Sequence, residues 1–381
     1  MKKLCVVATI PAVVHSFMQE HIRASAAKWK VMIACHPEGS GLLHGMAAQF
    51  QPFSIRRKIS PWHDLRVFIQ LMLFFRREHF DLVHSIMPKT GLLAMAAAWL
   101  VGVPNRVHTF TGQVWANKRG WKRSVLKLFD RLIVLFATNI IVDSPSQLAF
   151  LRNEGVLSKT KGRVIGSGSI CGVDAQRFHP DAAARMDVRE ELHISSEQLV
   201  ILFLGRLNRD KGIPELAKAF ADLAAQRADI VLVLVGAEED FPFAKLRQVC
   251  HAYQERLRRI SYTPYPERYM AAADLFCLPS HREGFGQVII EAAACGVPTV
   301  ATRIYGITDA VEDGKTGLLF PAGDVAGLTQ CLSKLVGDGE LRMQMGEAAR
   351  LRALELFPSQ KITGGMLAIY GELLGQQCKS N

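Results

Sequence analysis

Short runs of β-branched and other apolar residues alternate with helical patterns along this chain, and this alternation constrains its fold more than any other feature. The first half contains the candidate strands "LCVVATI", "VMIA", "DLVHS", "RVHTF", "NIIVDS" and "RVIG", with candidate helices near 17–28, 63–78, 91–101, 120–136 and 145–153. The second half contains "VILFLG", "IVLVLVG", "DLFCLPS", "PTVAT" and "GLLF", again with helices between them. Such alternation is typical of parallel sheets. The sequence therefore predicts an α/β protein with two Rossmann-like domains.

The boundary between these domains is expected in "GVDAQRFHPDAAARMDVREEL", where polar residues and Pro180 interrupt the alternation. We therefore predict an N-terminal domain at 1–180 and a C-terminal domain at 181–381. The last helix, about 358–376, follows "LFPSQ" and is free to pack back on the N-terminal domain. Two such domains imply a cleft, and ligands of open α/β sheets bind at the carboxyl ends of the strands.

Composition excludes several classes of protein. The chain is 49% hydrophobic and 21% charged, as globular proteins are. No apolar run reaches the ~20 residues that span a bilayer, and the N-terminus reads as a first strand because it lacks a signal-peptide cleavage site. The eight cysteines are scattered without a C-x-x-C pair. This pattern indicates reduced thiols, a cytoplasmic location and no zinc ribbon, and no other segment has convincing metal-ligand spacing.

The net charge of +11 is distributed unevenly along the chain. Residues 1–180 contain 24 Lys and Arg against 9 Asp and Glu, whereas residues 181–381 contain 22 against 26. A basic half beside a mildly acidic half predicts that the first half meets an anionic surface. The charge alone would also suit a nucleic-acid-binding protein.

A glycine-rich segment, "GSGSICG", superficially matches a dinucleotide fingerprint. Its third glycine comes one residue late, and "VDAQRFHP" follows it in place of an apolar helix. The pattern lacks the strand-turn-helix context that binding of a dinucleotide requires. We therefore expect no NAD site here.

Two other segments carry residues suited to an anionic ligand. In "VILFLGRLNRDKG" a buried strand ends at Gly205, and Arg206 and Lys211 follow on the loop. In "EGFGQVIIE" the carboxylates Glu283 and Glu291 flank a glycine-rich turn that opens a helix. Cations and a helix N-terminus bind a diphosphate, and the carboxylates would accept hydrogen bonds from sugar or ribose hydroxyls. Either segment alone would equally fit a solvated loop, but together they predict a nucleotide-sugar site.

Four segments together carry a family resemblance: "GRLNRDKG", "PSHREGFGQVIIEAAACGVPTVAT", "GVD" and "EDGKTGLLF". The chain resembles the family 4 glycosyltransferases, which have the GT-B fold, and the resemblance covers nearly its whole length. It implies retaining transfer of a sugar from a nucleotide diphosphate without a metal or other cofactor. By resemblance Arg206 and Lys211 hold the diphosphate, Glu283 faces the donor sugar and Glu291 accepts from the ribose. The resemblance also assigns donor contacts to Gly205, Gly284, Phe285, Gly286 and Gln287.

The segment "HTFTGQVWANKRGWKR" narrows the resemblance to bacterial transferases that extend a sugar on undecaprenyl diphosphate in pilin, N-glycan and O-antigen pathways. His108 is predicted at a strand end, where related enzymes place a histidine near the transferred sugar; a core histidine is the alternative. The segment supplies further acceptor or membrane candidates, namely Thr109, Thr111, Gly112, Gln113, Lys118, Arg119, Lys122 and Arg123. The chain departs from the family in its first loop, "ATIPAVVHSF", which lacks the usual pair of glycines.

Three basic segments with aromatic residues fit a membrane surface: "SIRRK", "WHDLRVFIQLMLFFRREHF" and "NKRGWKRSVLKLFDRLIVLF". Helical spacing in the second groups an apolar stripe of Leu65, Phe68, Ile69, Met72 and Phe75, flanked by Arg66, Arg76 and Arg77. Such helices lie in the headgroup region of anionic membranes, although the same stripe would suit a helix that only covers the sheet. We expect a peripheral protein at the cytoplasmic face of the inner membrane.

These features predict a retaining transferase in which the N-terminal domain faces acceptor and membrane and the C-terminal domain binds the donor. The donor would be a UDP-sugar, carrying an N-acetylhexosamine or galactose, and the acceptor a saccharide on undecaprenyl diphosphate. One alternative is the same chemistry on a soluble acceptor. A same-fold epimerase or phosphorylase would need a different nucleophile or a cofactor lysine, for which the sequence offers no candidate. A nucleic-acid-binding protein would leave Arg206, Lys211 and the two carboxylates unexplained.

Overall fold

The computed structural model of the chain describes residues 1–56 and 59–375. Within these residues the chain divides into two units. The first comprises Met1–Gly172 together with the segment that begins at Ser359, and the second comprises Val173–Pro358. The boundary that the sequence suggests, at 180/181, falls later, inside the second unit. The final predicted helix extends to residue 376, which lies outside the described residues.

The first unit is built on a six-stranded sheet. Its strands are β1 (Lys3–Val7), β2 (Lys30–Cys35), β3 (Gln49–Pro52), β4 (Leu82–Ile86), β5 (Asn105–Phe110) and β6 (Asn139–Val142). Its helices before the second unit are α1 (Pro11–Ala26), α2 (Pro61–Glu78), α3 (Pro88–Leu100), α4 (Gly120–Phe136) and α5 (Pro145–Asn153). All pairs are parallel, in the order β3-β2-β1-β4-β5-β6. One apolar core lies on each face of this sheet.

The second unit repeats this architecture. Its strands are β7 (Leu199–Leu204), β8 (Ile230–Val235), β9 (Leu257–Ile260), β10 (Leu275–Leu278), β11 (Thr299–Thr302) and β12 (Gly317–Phe320). Its helices are α6 (Ala182–Glu191), α7 (Ile213–Ala224), α8 (Phe243–Val249), α9 (Pro266–Ala272), α10 (Gln287–Ala294), α11 (Ile307–Ala310), α12 (Val325–Gly337) and α13 (Gly339–Leu356). The parallel order β12-β11-β10-β7-β8-β9 is the doubly wound order of the first sheet. The predicted fold class, α/β with two Rossmann-like sheets, is confirmed.

The strand predictions fail only at the margins of the sheets. The segment "RVIG" is not a strand, because Arg163 forms only an isolated bridge with Ile141 and glycines with positive φ, Gly162 and Gly166, interrupt the chain around it. Two strands were missed, β3 ("QFQP") and β9 ("LRRI"). Both lie at sheet edges, where polar and charged side chains protect the free backbone and remove the apolar pattern.

The last helix, α14 (Ser359–Leu373), belongs to the first unit although it follows the second in sequence. Two buried histidines hold it: Thr363 Oγ1 lies 2.9 Å from His21 Nδ1, and the Tyr370 hydroxyl lies 2.5 Å from His84 Nδ1. Burial lowers the pKa of His84 to about 3, so this imidazole is neutral at physiological pH. These buried polar contacts fix the position of α14 within the core of the first unit.

Candidate active site

The two segments singled out in the second half of the chain meet at one point of the second sheet. The strand order reverses between β7 and β10, and the loops that follow these strands carry Lys211 and Glu283. The Lys211 ammonium pairs with Glu283 Oε1 at 2.5 Å, and Ser280 Oγ donates to the same oxygen at 2.8 Å. Ligands of doubly wound sheets bind at such a reversal. The geometry thus joins the predicted cation and carboxylate at the position where a ligand is expected.

Gly212 explains how the Lys211 loop reaches β10. Its φ is +71°, and a Cβ at this position would lie 2.0 Å from the carbonyl oxygen of Pro279. Only glycine tolerates both the left-handed backbone and this close approach. The sequence "DKG" therefore places Lys211 directly beside the turn that carries Glu283.

Arg206, which follows Gly205 at the end of β7, has a partner that the sequence did not reveal. Its Nη1 donates to both carboxylate oxygens of Glu239, at 2.7 and 2.5 Å. Within the described chain the Nε and Nη2 of Arg206 have no protein acceptor, so these donors remain available to an anion. Glu239 follows β8, and its backbone N–H donates to the Leu207 carbonyl at 3.1 Å, which ties the loops after β7 and β8 together.

Asn208 connects the surroundings of the two cations. Its Nδ2 donates to Glu239 Oε2 at 2.6 Å, and its Oδ1 accepts the backbone N–H of Lys211 at 2.9 Å. The side chain is buried. One amide thus caps the turn that carries Lys211 and holds the carboxylate that contacts Arg206. In the sequence, only the position of Asn208 between two predicted phosphate ligands indicated this role.

The glycine-rich turn leads directly into α10. Gly286 has φ +86° and precedes the first helical residue, Gln287. Phe285 is buried and packs edge-on against Phe357 at 5.1 Å between ring centroids, so its side chain anchors the turn. The N-terminal N–H groups of a helix lack intrahelical acceptors and favour an anion. The turn from Gly284 to Gln287 therefore has the geometry of an anion-binding segment, with its backbone as the contacting part.

Glu291 lies one turn into α10 and is half-buried. Gln287 Nε2 donates to Glu291 Oε1 at 3.2 Å. Burial raises the pKa of Glu291 to about 7, against the smaller opposing effects of the Gln287 hydrogen bond and the positive charge of Arg177. The carboxyl group is therefore balanced between its neutral and ionised forms near physiological pH, and a hydrogen-bond-donating ligand would favour the ionised form.

His108 lies in the predicted strand, close to its end, but its side chain is buried. It sits inside β5, two positions before the strand ends at Phe110, and its ring is fully buried. Ser85 Oγ lies 2.8 Å from its Nδ1, and α3 approaches so closely that a Cβ on Gly91 would lie 2.4 Å from the ring. Burial lowers the pKa of His108 to about 3. The ring is thus enclosed in the free protein, and a role of His108 near the transferred sugar stays a prediction.

The remaining acceptor candidates on and after β5 differ in how far their side chains are exposed. Thr109 is buried, and its Oγ1 lies 2.8 Å from His84 Nε2. Thr111 is half-buried and is the first residue beyond β5, followed by Gly112 and Gln113. Gln113 is buried and accepts a hydrogen bond from Gln147 Nε2 at 3.1 Å. Thr111 thus occupies the first position after the strand.

The basic candidates near α4 differ in exposure and in whether they have a partner. Lys118, Arg119 and Lys122 are exposed, whereas Arg123 pairs with Glu154 at 2.7 Å and lies over the Trp115 ring. Arg123 therefore contributes to the packing of α4, which its sequence did not indicate. Arg57 and Lys58, in the segment "SIRRK", lie outside the described residues.

The predicted apolar stripe on α2 is rotated by about a third of a turn from the face that packs, at about 100° per residue. The helix buries Val67, Leu71, Phe74 and Phe75. Phe68 and Met72 are half-buried against the same core, while Leu65 and Ile69 are exposed together with Trp62 and Leu73. The prediction was wrong in merging these two faces, because α2 is apolar on both sides.

Among residues 1–56 and 59–375, no three His, Cys, Asp or Glu side chains converge as they would around a metal ion. No helix in this part of the chain combines the length and apolar character that crossing a bilayer requires.

Comparison with known proteins identifies the family. Residues 13–168 match the glycosyl transferase 4-like domain, and residues 185–352 match the glycosyl transferases group 1. The chain is 36% identical over 334 residues to a D-inositol 3-phosphate glycosyltransferase of Pseudarthrobacter chlorophenolicus, covering 82% of this chain and 71% of that protein. It is 29% identical to the capsular polysaccharide biosynthesis glycosyltransferase CapM of Staphylococcus aureus, covering 84% of each protein.

Two further similarities bear on fold and substrate. A UDP-Gal:α-D-GlcNAc-diphosphoundecaprenol α-1,3-galactosyltransferase of Escherichia coli is 28% identical, covering 75% of this chain and 74% of that protein. The structure of HepE from Anabaena in complex with UDP and glucose superposes with a TM-score of 0.82 at 18% identity, covering 98% of this chain and 100% of that chain. That likeness shows the GT-B fold. The chain therefore belongs to the group 1, family 4 glycosyltransferases and is a retaining enzyme that transfers a sugar from a nucleotide sugar.

Proposed function

We propose that this enzyme transfers an N-acetylhexosamine or galactose from a UDP-sugar to a saccharide on undecaprenyl diphosphate. The observation that carries the donor assignment is the convergence of Lys211 and Glu283, with Arg206 on the same loop, at the strand reversal of the second sheet. The HepE complex supports UDP as the nucleotide. The name of the Escherichia coli relative supports a sugar on undecaprenyl diphosphate as acceptor.

In the proposed mechanism the bond between the sugar's anomeric carbon and the diphosphate oxygen breaks, and UDP leaves. The acceptor hydroxyl attacks the anomeric carbon from the same face, and its proton passes to the departing phosphate oxygen. Arg206 and Lys211 stabilise the charge that develops on the diphosphate, together with the N–H groups at the start of α10. This stabilisation needs no reorganisation, because the surrounding contacts already fix both cations.

The two carboxylates would bind opposite ends of the donor. Glu283, fixed by Lys211 and Ser280, would accept a hydrogen bond from the transferred sugar. Glu291 would accept from the ribose hydroxyls, as its position one turn into α10 permits. A carboxylate accepts hydroxyl hydrogen bonds more strongly than a neutral group does, so each residue is expected to be sensitive to replacement by glutamine.

The exposed face of the first unit supports a membrane-bound acceptor. Helices α2 and α4 both pack against α3, and each exposes an apolar stripe, formed by Trp62, Leu65, Ile69 and Leu73 on α2 and by Trp121, Val125, Leu128 and Leu135 on α4. Trp62 is 85% exposed and Trp121 is 72% exposed. Large exposed tryptophans beside basic residues are characteristic of helices that lie in the headgroup region.

The charges beside these stripes also support a membrane-bound acceptor. Lys118, Arg119 and Lys122 cluster at the N-terminus of α4, where cations oppose the helix dipole and lower helix stability. Lys122 lies over the Trp121 ring, and the position of all three cations fits attraction to anionic lipid, worth about 1 kcal/mol per residue near the surface. We propose peripheral attachment to the cytoplasmic face of the inner membrane through this surface.

A soluble acceptor remains the second candidate, because the relative from Pseudarthrobacter chlorophenolicus is named for D-inositol 3-phosphate. Calorimetric titration with UDP- and GDP-sugars, followed by transfer assays on polyprenyl-diphosphate-linked and soluble sugars, distinguishes the two. We expect binding of UDP-sugars and transfer to the lipid-linked acceptor. Efficient transfer to soluble sugars only, with no binding to anionic vesicles, would replace the lipid-linked acceptor with a soluble one.

A further inference from the structure

A buried carboxyl group stands at the carboxyl edge of the first sheet. Asp143 directly follows β6 and is only 6% exposed. Its Oδ1 is enclosed and finds no hydrogen-bond partner within the described residues. A buried polar atom without a partner lowers the stability of the folded protein, because it has lost its hydrogen bonds to water. Such groups call for an explanation, and a bound ligand is one.

The backbone at Asp143 is held firmly, in contrast to its side chain. Its N–H donates to Gln147 Oε1 at 3.0 Å, and Gln147 Nε2 donates to Gln113 Oε1 at 3.1 Å. Ser144 Oγ accepts the Gln147 backbone N–H at 3.1 Å and so caps α5. Gln113, Ser144 and Gln147 are all fully buried. These contacts fix the position of Asp143 without using its carboxyl oxygens.

The glycine-rich segment that did not fit a dinucleotide lies against the same strand end. Ser169 donates its backbone N–H to the Asp143 carbonyl at 2.7 Å, and its own φ is +76°. Its Oγ accepts the backbone N–H of Gly172 at 2.8 Å. A non-glycine residue in the left-handed region is strained, and such residues cluster at functional sites. Strain and an unpaired carboxyl group therefore occur together here.

The chemistry of this edge favours a neutral, hydroxyl-rich ligand. Burial raises the pKa of Asp143 well above its usual range and so favours the neutral carboxyl form, which both donates and accepts hydrogen bonds. The neighbouring side chains are amides and hydroxyls, which match sugar hydroxyl and acetamido groups. His108 also has an unpaired buried nitrogen, but it lies within β5 against the Phe110 ring, whereas Asp143 lies past its strand.

We propose that the Asp143 carboxyl group is the hydrogen-bonding group of a carbohydrate subsite in the first unit, which takes a hydroxyl or acetamido group of the acceptor saccharide. The assignment to the acceptor rests on the proposed function. The carbohydrate chemistry itself does not, since the transferred sugar of the donor presents the same groups. The subsite adds to the reaction a recognition element formed by the ends of β5 and β6 and the loop at 166–172.

The test compares wild type with Asp143→Leu, which keeps the side-chain size but removes both oxygens, and Asp143→Asn, which keeps a neutral donor and acceptor. Kinetics are measured with undecaprenyl-diphosphate-linked N-acetylglucosamine at saturating UDP-sugar and then with the concentrations exchanged. We expect Asp143→Leu to raise the acceptor KM at least about tenfold, as loss of a buried hydrogen bond does. Asp143→Asn should recover part of this loss, and UDP affinity should stay within about twofold of wild type in both variants.

Melting temperature separates binding from structure. Asp143→Leu removes an unpaired group, so its Tm should equal or exceed that of wild type. The matched control is Asp130→Leu, in which a buried carboxyl group with a partner is lost, since Asp130 Oδ2 accepts from Trp115 Nε1 at 2.7 Å. That variant should lower the Tm without changing the acceptor KM. A lowered Tm in Asp143→Leu and Asp143→Asn, with both KM values unchanged, would overturn the proposal.

Two further outcomes separate this inference from the proposed function. If only the KM for the UDP-sugar rises while UDP affinity holds, the subsite exists and its ligand is the transferred sugar. If wild type does not act on the lipid-linked acceptor, the proposed function fails, and saturation-transfer NMR with free N-acetylglucosamine and galactose takes over as the readout. Signals that vanish in Asp143→Leu would support the subsite, and equal signals in both proteins would overturn it.

Discussion

The two units share a strand order but differ in whether the charged groups at their strand ends and surfaces have partners. At the strand ends of the second unit, Arg206 pairs with Glu239 and Lys211 pairs with Glu283. In the first unit, Asp143 is buried with its Oδ1 unpaired among the described residues, while Lys118, Arg119 and Lys122 project from the surface. Paired charges on a rigid frame suit a fixed polyanion. Neutral buried groups and exposed cations suit a sugar and a lipid surface, respectively.

The largest effect is expected where the charges are paired. Arg206→Ala or Lys211→Ala should leave a folded protein whose turnover falls more than tenfold, about 2–4 kcal/mol of transition-state stabilisation, because each contact strengthens as UDP leaves. Steady-state kinetics at saturating substrates measure this. Arg303→Ala, which removes another exposed arginine of the second unit that pairs with Asp313, should keep wild-type turnover. Near-normal turnover in both active-site variants would show that these two cations do not stabilise the departing UDP.

The second prediction concerns the exposed cations of the first unit. Replacing Lys118, Arg119 and Lys122 by Gln should weaken binding to vesicles of anionic phospholipid about tenfold or more at low salt, and UDP affinity should not change. Vesicle sedimentation across a salt series measures the effect. Added salt should weaken binding, because the Debye length falls to about 8–10 Å at physiological ionic strength. Arg123→Gln is the matched control, because Glu154 already holds this charge; it should leave vesicle binding nearly intact. Equal binding of the triple variant and wild type would contradict the surface assignment.

A smaller effect tests how the second unit positions its cations. Glu239→Gln keeps the shape of the side chain but weakens its contact with Arg206 and with Asn208. We expect UDP affinity to fall about three- to tenfold, comparable to the loss of one charge-assisted hydrogen bond. Calorimetric titration with UDP measures it. Tighter binding of UDP would contradict this role and would mean that Glu239 competes with the diphosphate for Arg206.

The smallest predicted effect depends on pH. In the free protein the pKa of Glu291 is raised to about 7, and hydrogen bonds from ribose hydroxyls would stabilise the ionised form and lower that pKa. UDP affinity should therefore be greatest above pH 7 and decline as pH falls through 7, by at most tenfold per unit. Glu291→Gln should bind UDP more weakly and lose this component of the pH dependence, which separates it from titration of the phosphate. An unchanged pH profile in this variant would exclude the ribose role.

The sequence predicted the fold of both units because parallel strands buried on both faces are nearly continuous apolar runs, as in β7 and β8. It could not predict β3 and β9, whose edge positions remove that pattern. Arg206, Lys211 and the turn after Glu283 stand out because glycines and charges follow strand ends. Asn208 and Glu239 do not stand out, since their importance arises from contacts between loops 31 residues apart. The burial of His108 could not be predicted, because it depends on the close approach of α3 at Gly91.

We propose that the cations after β7 bind the diphosphate of the donor, and a comparison of UDP with UMP binding tests this most directly. Calorimetric titration of wild type should show that UDP binds about tenfold or more tightly than UMP, since the distal phosphate adds at least one charge-assisted contact. The double variant Arg206→Ala/Lys211→Ala should bind UDP and UMP with equal affinity, while its Tm stays close to that of wild type. A folded double variant that keeps the full preference for UDP would contradict the claim.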